Sequence, residues 1–223
     1  MIDFPQLNYP KEVPPLEHSE RLKKSIKGMK TLFNTKKIPI DKDKFINNQT
    51  NDYGKAVQNI EEYIASLIYE FIDKRKDETL VSIFHYIHFW GGITGRAIYI
   101  RNGGFDNNFN LDTYKKIVET IIVLKQDTLC EDLIEIEKLI ISMPYLGVAY
   151  GTKHLRFWSI NANKNKIELP ILDSIIAKKL LKKTYFAWRH YCPYVKQMQE
   201  EAKKRKVSVT AFERLLYNKF NKQ

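Results

Sequence analysis

Leu139-Ile-Ile-Ser-Met-Pro-Tyr-Leu-Gly-Val-Ala-Tyr-Gly-Thr-Lys-His-Leu-Arg-Phe-Trp158 is the stretch on which the fold turns. Its first residues continue the apolar series Leu133, Ile136, Leu139 and Ile140, whose spacing of three and four is that of a helix, and Pro144 ends that helix. Its last residues predict a second helix over Thr152–Trp158. Between them lies a turn over 143–151. A turn of this kind opening a helix presents unpaired backbone N–H groups and the positive end of a dipole, and both favour a phosphate. Gly147 and Gly151 carry no Cβ and allow close backbone approach. Lys153 is expected in the first turn of the second helix. There it opposes the dipole, so its placement asks for a reason other than helix stability.

Working outward, Thr128-Leu-Cys-Glu131 has the spacing of a capping box, with Asp132 also in the first turn. Upstream, Asp112 is placed to cap a helix through Ile117, Ile121 and Leu124. Ile60, Tyr63, Ile64, Leu67, Ile68, Phe71 and Ile72 make an amphipathic helix over Ala56–Ile72, and another runs from Thr79 to Trp90 until Gly91-Gly92. Ser19–Phe33 suits a basic helix and Arg101–Asn110 a loop. Downstream, helices are expected over Ile171–Leu181 and Pro193–Arg205, and Thr210-Ala-Phe-Glu213 opens a last one. No alternating strand of any length occurs, so the expected fold is mainly α. Four of the eight prolines fall within the first fifteen residues. Residues 1–18 are therefore expected to be extended and 19–223 to form the helical domain, with basic helices over 174–223.

The chain has 223 residues and a net charge of +11. Thirteen Lys and Arg against three Glu follow Asp173, so +10 of that excess belongs to the last fifty residues. Such a skew is the electrostatic footprint of a polyanion partner, although a solvated helical face produces the same pattern. No run approaches a membrane span, and the N-terminus lacks a signal peptide's regions. The expectation is a cytoplasmic protein, at the nucleoid if the source is a bacterium. Two cysteines, Cys130 and Cys192, form no C-x-x-C pair; Cys192 reads as packing. His85 and His88 lie three apart on one helix without further ligands nearby, so they read as packing, and no metal or cofactor is expected.

Twenty residues beyond Lys153 stands Asp173, in Glu-Leu-Pro-Ile-Leu-Asp. It is a plausible N-cap, with Ser174 competing, and equally an anion placed near an amine. Gly-Val-Ala-Tyr-Gly-Thr-Lys153 with Leu-Pro-Ile-Leu-Asp173 resembles the helix-hairpin-helix DNA glycosylases, and especially 8-oxoguanine DNA glycosylase-like proteins. The likeness is strongest over 128–182; Trp90-Gly-Gly and Arg96 resemble small bacterial members more loosely. It implies a helix-hairpin-helix glycosylase-like fold without the N-terminal β-domain of larger relatives. It implies Lys153 as the nucleophile and Asp173 as its carboxylate partner. The family hairpin has Gly-x-Gly, whereas Gly147-Val-Ala-Tyr-Gly151 is two residues longer.

The reaction so implied is attack of the Lys153 amine on C1′ of a flipped nucleoside, expelling a modified base, an oxidised purine by default. The Schiff base formed would permit AP-lyase strand nicking. A free lysine is under about 0.1% neutral at pH 7, so its surroundings must favour the neutral amine. Asp173 would offset positive charge developing on the sugar. The partner is double-stranded DNA containing a modified base, and the protein is expected to act as a monomer. Gly147, Val148, Gly151, Thr152, His154 and Arg156 are candidates for DNA contact. Phe89, Trp90, Trp158, Trp188 and Tyr191 are aromatic candidates for a base pocket, each also suited to ordinary core. Three alternatives stand beside this reading: a non-catalytic DNA-binding module, a defence glycosylase acting on modified invader DNA, and a helical protein-interaction domain.

Overall fold

The computed structural model of the protein describes residues 2–7, 53–91, 109–144, 146–183 and 186–221, with the side chains of 53–59, 89 and 221 outside that description. The expected basic helix over Ser19–Phe33, most of the expected loop over Arg101–Asn110, and Gly92 and Arg96 lie outside the described residues. Among those described, the chain forms eight α-helices, one 3₁₀ turn and no strand, so the fold is mainly α. It divides into two compact units, 15–111 and 1–14 with 112–223.

In the first unit, α1 (Tyr53–Lys74) and α2 (Asp77–Trp90) pack together. Ile60, Ile64, Leu67, Ile68 and Phe71 of α1 are buried, as their periodicity requires. Arg75 breaks the helix between them by adopting left-handed backbone, φ 55°. His85 and His88 are both buried on α2. His88 stacks on Phe84, with ring centroids 4.3 Å apart. Among the described residues, no group of three or more His, Cys, Asp or Glu is placed to hold a metal ion.

In the second unit, α3 (Leu111–Val123), α4 (Leu129–Ile141) and α5 (Val148–Ala162) are followed by α6 (Ser174–Lys179). A 3₁₀ turn at Trp188–His190 leads into α7 (Tyr191–Lys204), and α8 (Val209–Asn221) comes last. Residues 2–7, which have no secondary structure, lie against the last two helices: Ile2 N–H donates to Gln197 Oε1 at 2.5 Å, Phe4 meets Phe212, and Lys219 Nζ donates to the Gln6 carbonyl at 2.8 Å.

Three local expectations are corrected. Thr128 sits at the N-cap of α4 without capping it; its hydroxyl donates to Asp132 Oδ2 at 2.7 Å instead. Cys192, expected to pack, is joined to Cys130 as a disulfide across α4 and α7, with Cα atoms 5.6 Å apart. Most consequentially, α5 begins at Val148 with Gly147 as its N-cap, four residues before the expected start. Gly151 is therefore inside the helix, and Lys153 lies in its second turn. The extra length between the two glycines is helix, not hairpin.

Helix α5 is the centre of this unit. Every residue from Gly151 to Ser159 is buried, the pattern of a core helix rather than a surface one. Its polar members find internal partners. Trp158 Nε1 donates to Tyr114 Oη at 2.9 Å, and the same oxygen shares a hydrogen bond with His154 Nδ1 at 2.7 Å. Burial raises the Tyr114 phenol far above its ordinary range, which keeps it protonated.

Candidate active site

The segment leading from α5 to Asp173 has no secondary structure, so its backbone groups need other partners. They find them in side chains. Asn163, at the C-terminal end of α5, donates to the Ile121 carbonyl at 2.7 Å and accepts the N–H groups of Asn165 and Ile167. Ser159 Oγ accepts Leu169 N–H at 2.9 Å. Tyr191 and Tyr194 of α7 donate to the carbonyls of Pro170 and Ile171 at 2.8 and 2.9 Å. Glu213 of α8 accepts Ile171 N–H at 2.7 Å, and Thr152 of α5 accepts Leu172 N–H at 3.0 Å. Helices α5, α7 and α8 thus fix the three residues that precede Asp173.

The Thr152–Leu172 bond has a direct consequence for the site. Thr152 precedes Lys153 and Leu172 precedes Asp173, so one buried hydroxyl joins the two segments that carry the amine and the carboxylate. Lys153 is only 8% exposed. Its side chain folds back toward the start of α5, with Nζ 3.1 Å from the Ala149 carbonyl and 4.7 Å from the Tyr150 ring centre. Asp173 caps α6, its Oδ1 accepting Ile175 and Ile176 N–H at 2.9 and 3.0 Å. Both cap bonds use Oδ1 and neither uses Oδ2. The helix-capping role and a chemical role are therefore compatible in one carboxylate.

The other predicted residues separate into an outer and an inner set. Gly147 is exposed at the turn, and no side chain caps α5 behind it. Val148 is half-buried beside it. Gly151 touches no solvent: a Cβ there would lie 2.7 Å from Trp188 Cζ2, so this glycine exists to seat the indole. Thr152 faces the Asp173 segment. His154 faces Tyr114. Arg156 is buried over the Phe157 ring, its Nε 3.3 Å from Glu213 Oε1. Trp158 is wholly buried, and Trp188 packs between Gly151 and Tyr191, meeting Tyr191 edge-on at 5.6 Å. Trp90 is half-buried at the end of α2 in the other unit, and the Phe89 side chain lies outside the described residues.

Glu213 and Tyr194 were not singled out from the sequence. Glu213 closes the run Thr210-Ala-Phe-Glu213 expected to open the last helix, but α8 begins at Val209 and Ser208 caps it, its Oγ accepting Ala211 N–H at 3.1 Å. The signal was present: Glu213 falls among Val209, Phe212, Leu216 and Phe220, on the apolar stripe of its helix. Burial pushes its carboxyl above the usual range, opposed by the Arg156 guanidinium and the Ile171 N–H. Tyr191 and Tyr194 are likewise raised by burial, and next by the Glu213 charge, which keeps both phenols protonated and donating.

The outer surface of the same helices is basic. Lys178, Lys182, Lys183, Arg189, Lys196, Lys203, Lys204 and Lys206 are all exposed. No helix among the described residues is long and apolar enough to cross a membrane.

No curated protein and no solved structure matches the chain at a significant level. Residues 68–217 match the family of 8-oxoguanine DNA glycosylase OGG-like proteins. That span takes in α2 through nearly all of α8, and with it the turn, Lys153 and the clamped segment before Asp173. The chain therefore belongs to the 8-oxoguanine DNA glycosylase OGG-like family, a family-level assignment to DNA glycosylase-type proteins.

Proposed function

We propose that the protein is a DNA base-excision glycosylase with AP-lyase activity, using Lys153 as nucleophile and Asp173 as electrostatic partner. The observation that carries this reading is the buried hydrogen bond from Leu172 N–H to Thr152, which holds together the two segments bearing the required groups. Family membership and the exposed lysines of α6 and α7 support DNA as the partner. The uncapped start of α5 beside Gly147 suits a backbone phosphate.

In the reaction, the target nucleotide leaves the stack. The neutral Lys153 amine forms a bond to C1′ while the glycosidic bond breaks, its electron pair departing with the base, which takes up a proton. Positive charge builds on the sugar as that bond lengthens, and the Asp173 carboxylate offsets it through space. Loss of the amine proton and opening of the sugar ring give the Schiff base. Removal of a C2′ proton then expels the 3′ phosphate and nicks the strand. To attack, the Lys153 amine has to turn from the Ala149 carbonyl and the Tyr150 ring toward the sugar.

Borohydride trapping over a panel of duplexes, with 8-oxoguanine first and bases of modified invader DNA after it, tests the reading. A covalent adduct on at least one duplex, lost in Lys153→Gln, is expected. Salt-sensitive DNA binding with no adduct on any duplex replaces the enzyme by a phosphate-clamping DNA-binding module.

A further inference from the structure

We infer that Glu213 is a positioning residue: through Ile171 N–H it fixes the backbone that places Asp173, with Arg156 as its buried counter-charge. The inference rests on the proposed role of Asp173. Glu213 lies on α8, forty residues from the carboxylate it would position, and its side chain is almost wholly enclosed. One oxygen accepts Ile171 N–H at 2.7 Å and the other faces Arg156 Nε at 3.3 Å. Tyr194 Oη donates to the carbonyl of the same residue at 2.9 Å. Ile171 is thereby gripped through both of its backbone polar groups by two different helices. Thr152 takes the N–H of the next residue, Leu172. Asp173 follows at once, so the place of its backbone is set by these three anchors.

A buried carboxylate is a costly way to accept one N–H bond, since an amide or hydroxyl desolvates more cheaply. Either form of the carboxyl keeps an oxygen that accepts the Ile171 N–H, so the buried side chain is suited to holding a backbone rather than to filling space. Arg156 faces the other oxygen from α5, which explains a guanidinium buried on a helix where every neighbour is enclosed. The pair therefore ties α5 and α8 to the loop between them at one point.

The test compares two double variants in which the guanidinium is removed equally. Arg156→Met with Glu213→Gln keeps an oxygen for Ile171 N–H, whereas Arg156→Met with Glu213→Leu does not. Two measurements are made on each: single-turnover base release on whichever duplex the wild type cleaves, and amide hydrogen exchange at Ile171, Ile175 and Ile176. The Leu variant is expected to release base on the order of 10²-fold more slowly than the Gln variant, as misplacement by about 1 Å can cause, with equal DNA affinity in the two. Exchange at Ile175 and Ile176, the amides capped by Asp173, should accelerate about tenfold or more in the Leu variant alone. Equal rates and equal exchange in the two variants overturn the inference. Should the Leu variant not fold, Arg156→Met with Glu213→Ala takes its place under the same two measurements, and rates and exchange equal to those of the Gln variant overturn the inference. If the wild type releases no base from any duplex, the glycosylase reading fails by itself, while the exchange comparison still decides whether Glu213 positions Asp173.

Discussion

Gly151→Ala sets two effects of opposite sign against each other. Gly151 lies inside α5, where alanine should gain about 1 kcal/mol of helix propensity. The added Cβ, however, would stand 2.7 and 2.9 Å from Trp188 Cζ2 and Cη2 and 3.1 Å from Ile140 Cγ2. Carbon contacts are comfortable at roughly 3.5–4.0 Å, so the indole has to retreat by about 1 Å, and it is enclosed by Tyr191 on its far side. Overpacking of this kind costs about 1–3 kcal/mol. The steric effect therefore wins over most of its range: about 1–3 less about 1 leaves a net loss of about 0–2 kcal/mol, centred near 1. For a chain of this size a loss of about 1 kcal/mol lowers Tm by roughly 2–4 °C. Urea unfolding followed by tryptophan fluorescence measures it. Gly147→Ser is the control: nothing lies within 4 Å of its Cβ, and serine is a good N-cap, so stability should move by no more than about 0.5 kcal/mol. In a Trp188→Phe background the offending ring atoms are gone, and Gly151→Ala should become neutral or stabilising. A Gly151→Ala protein as stable as wild type, or equally destabilised with and without Trp188, refutes the reasoning.

Three further outcomes follow from the structure. Thr152→Val keeps the shape of the side chain but strands Leu172 N–H, so urea unfolding should show a loss of about 1–3 kcal/mol, most of it recovered by Thr152→Ser. Burial lowers His85 to about 3, so the unfolded chain binds its proton first. The stability His85 contributes is complete above its ordinary value of 6.5 and is lost as pH falls from there toward 3, about 1.4 kcal/mol by pH 5.5; Tm against pH should flatten over that interval in His85→Gln. The Cys130–Cys192 bond closes a loop with a sequence separation of 62 residues, for which chain entropy gives about 4 kcal/mol as an upper figure. Dithiothreitol should lower the urea midpoint of the wild type by the equivalent of about 2–4 kcal/mol and leave that of Cys130→Ser unmoved.

The parts of the fold that were legible in the sequence are those governed by local chemistry. Pro144 stops α4, the apolar spacing of α1 and α4 buries the expected faces, and the charge excess after Asp173 emerges on exposed lysines. What misled was chemistry set by distant residues. Gly151 was read as part of the turn because glycine usually frees the backbone, yet its reason is an indole thirty-seven residues away. Thr128 and Glu131 have the spacing of a capping box, but the Thr128 hydroxyl takes Asp132, one residue further along. Two cysteines 62 residues apart carry no local sign that they meet. Lys153 and Asp173 could be paired only through resemblance, since a twenty-residue gap implies no contact; the Thr152–Leu172 bond joins the residues just before them, and it depends on tertiary placement.

The same tertiary placement lets one helix serve two tasks. Tyr191, Tyr194, Val195, Met198 and Ala202 make the buried face of α7, and the two phenols on it hold the carbonyls before Asp173. Lys196, Lys203 and Lys204 stand exposed on the same helix. Attraction of a polyanion works through the exposed set and is screened by salt within about 10 Å at 0.1 M ionic strength. The phenol hydrogen bonds are enclosed and escape that screening. Salt can therefore weaken capture of DNA without disturbing the backbone that carries Asp173. A helix with only one of these faces could bind DNA or brace the loop, whereas α7 ties the strength of each to a separate set of side chains.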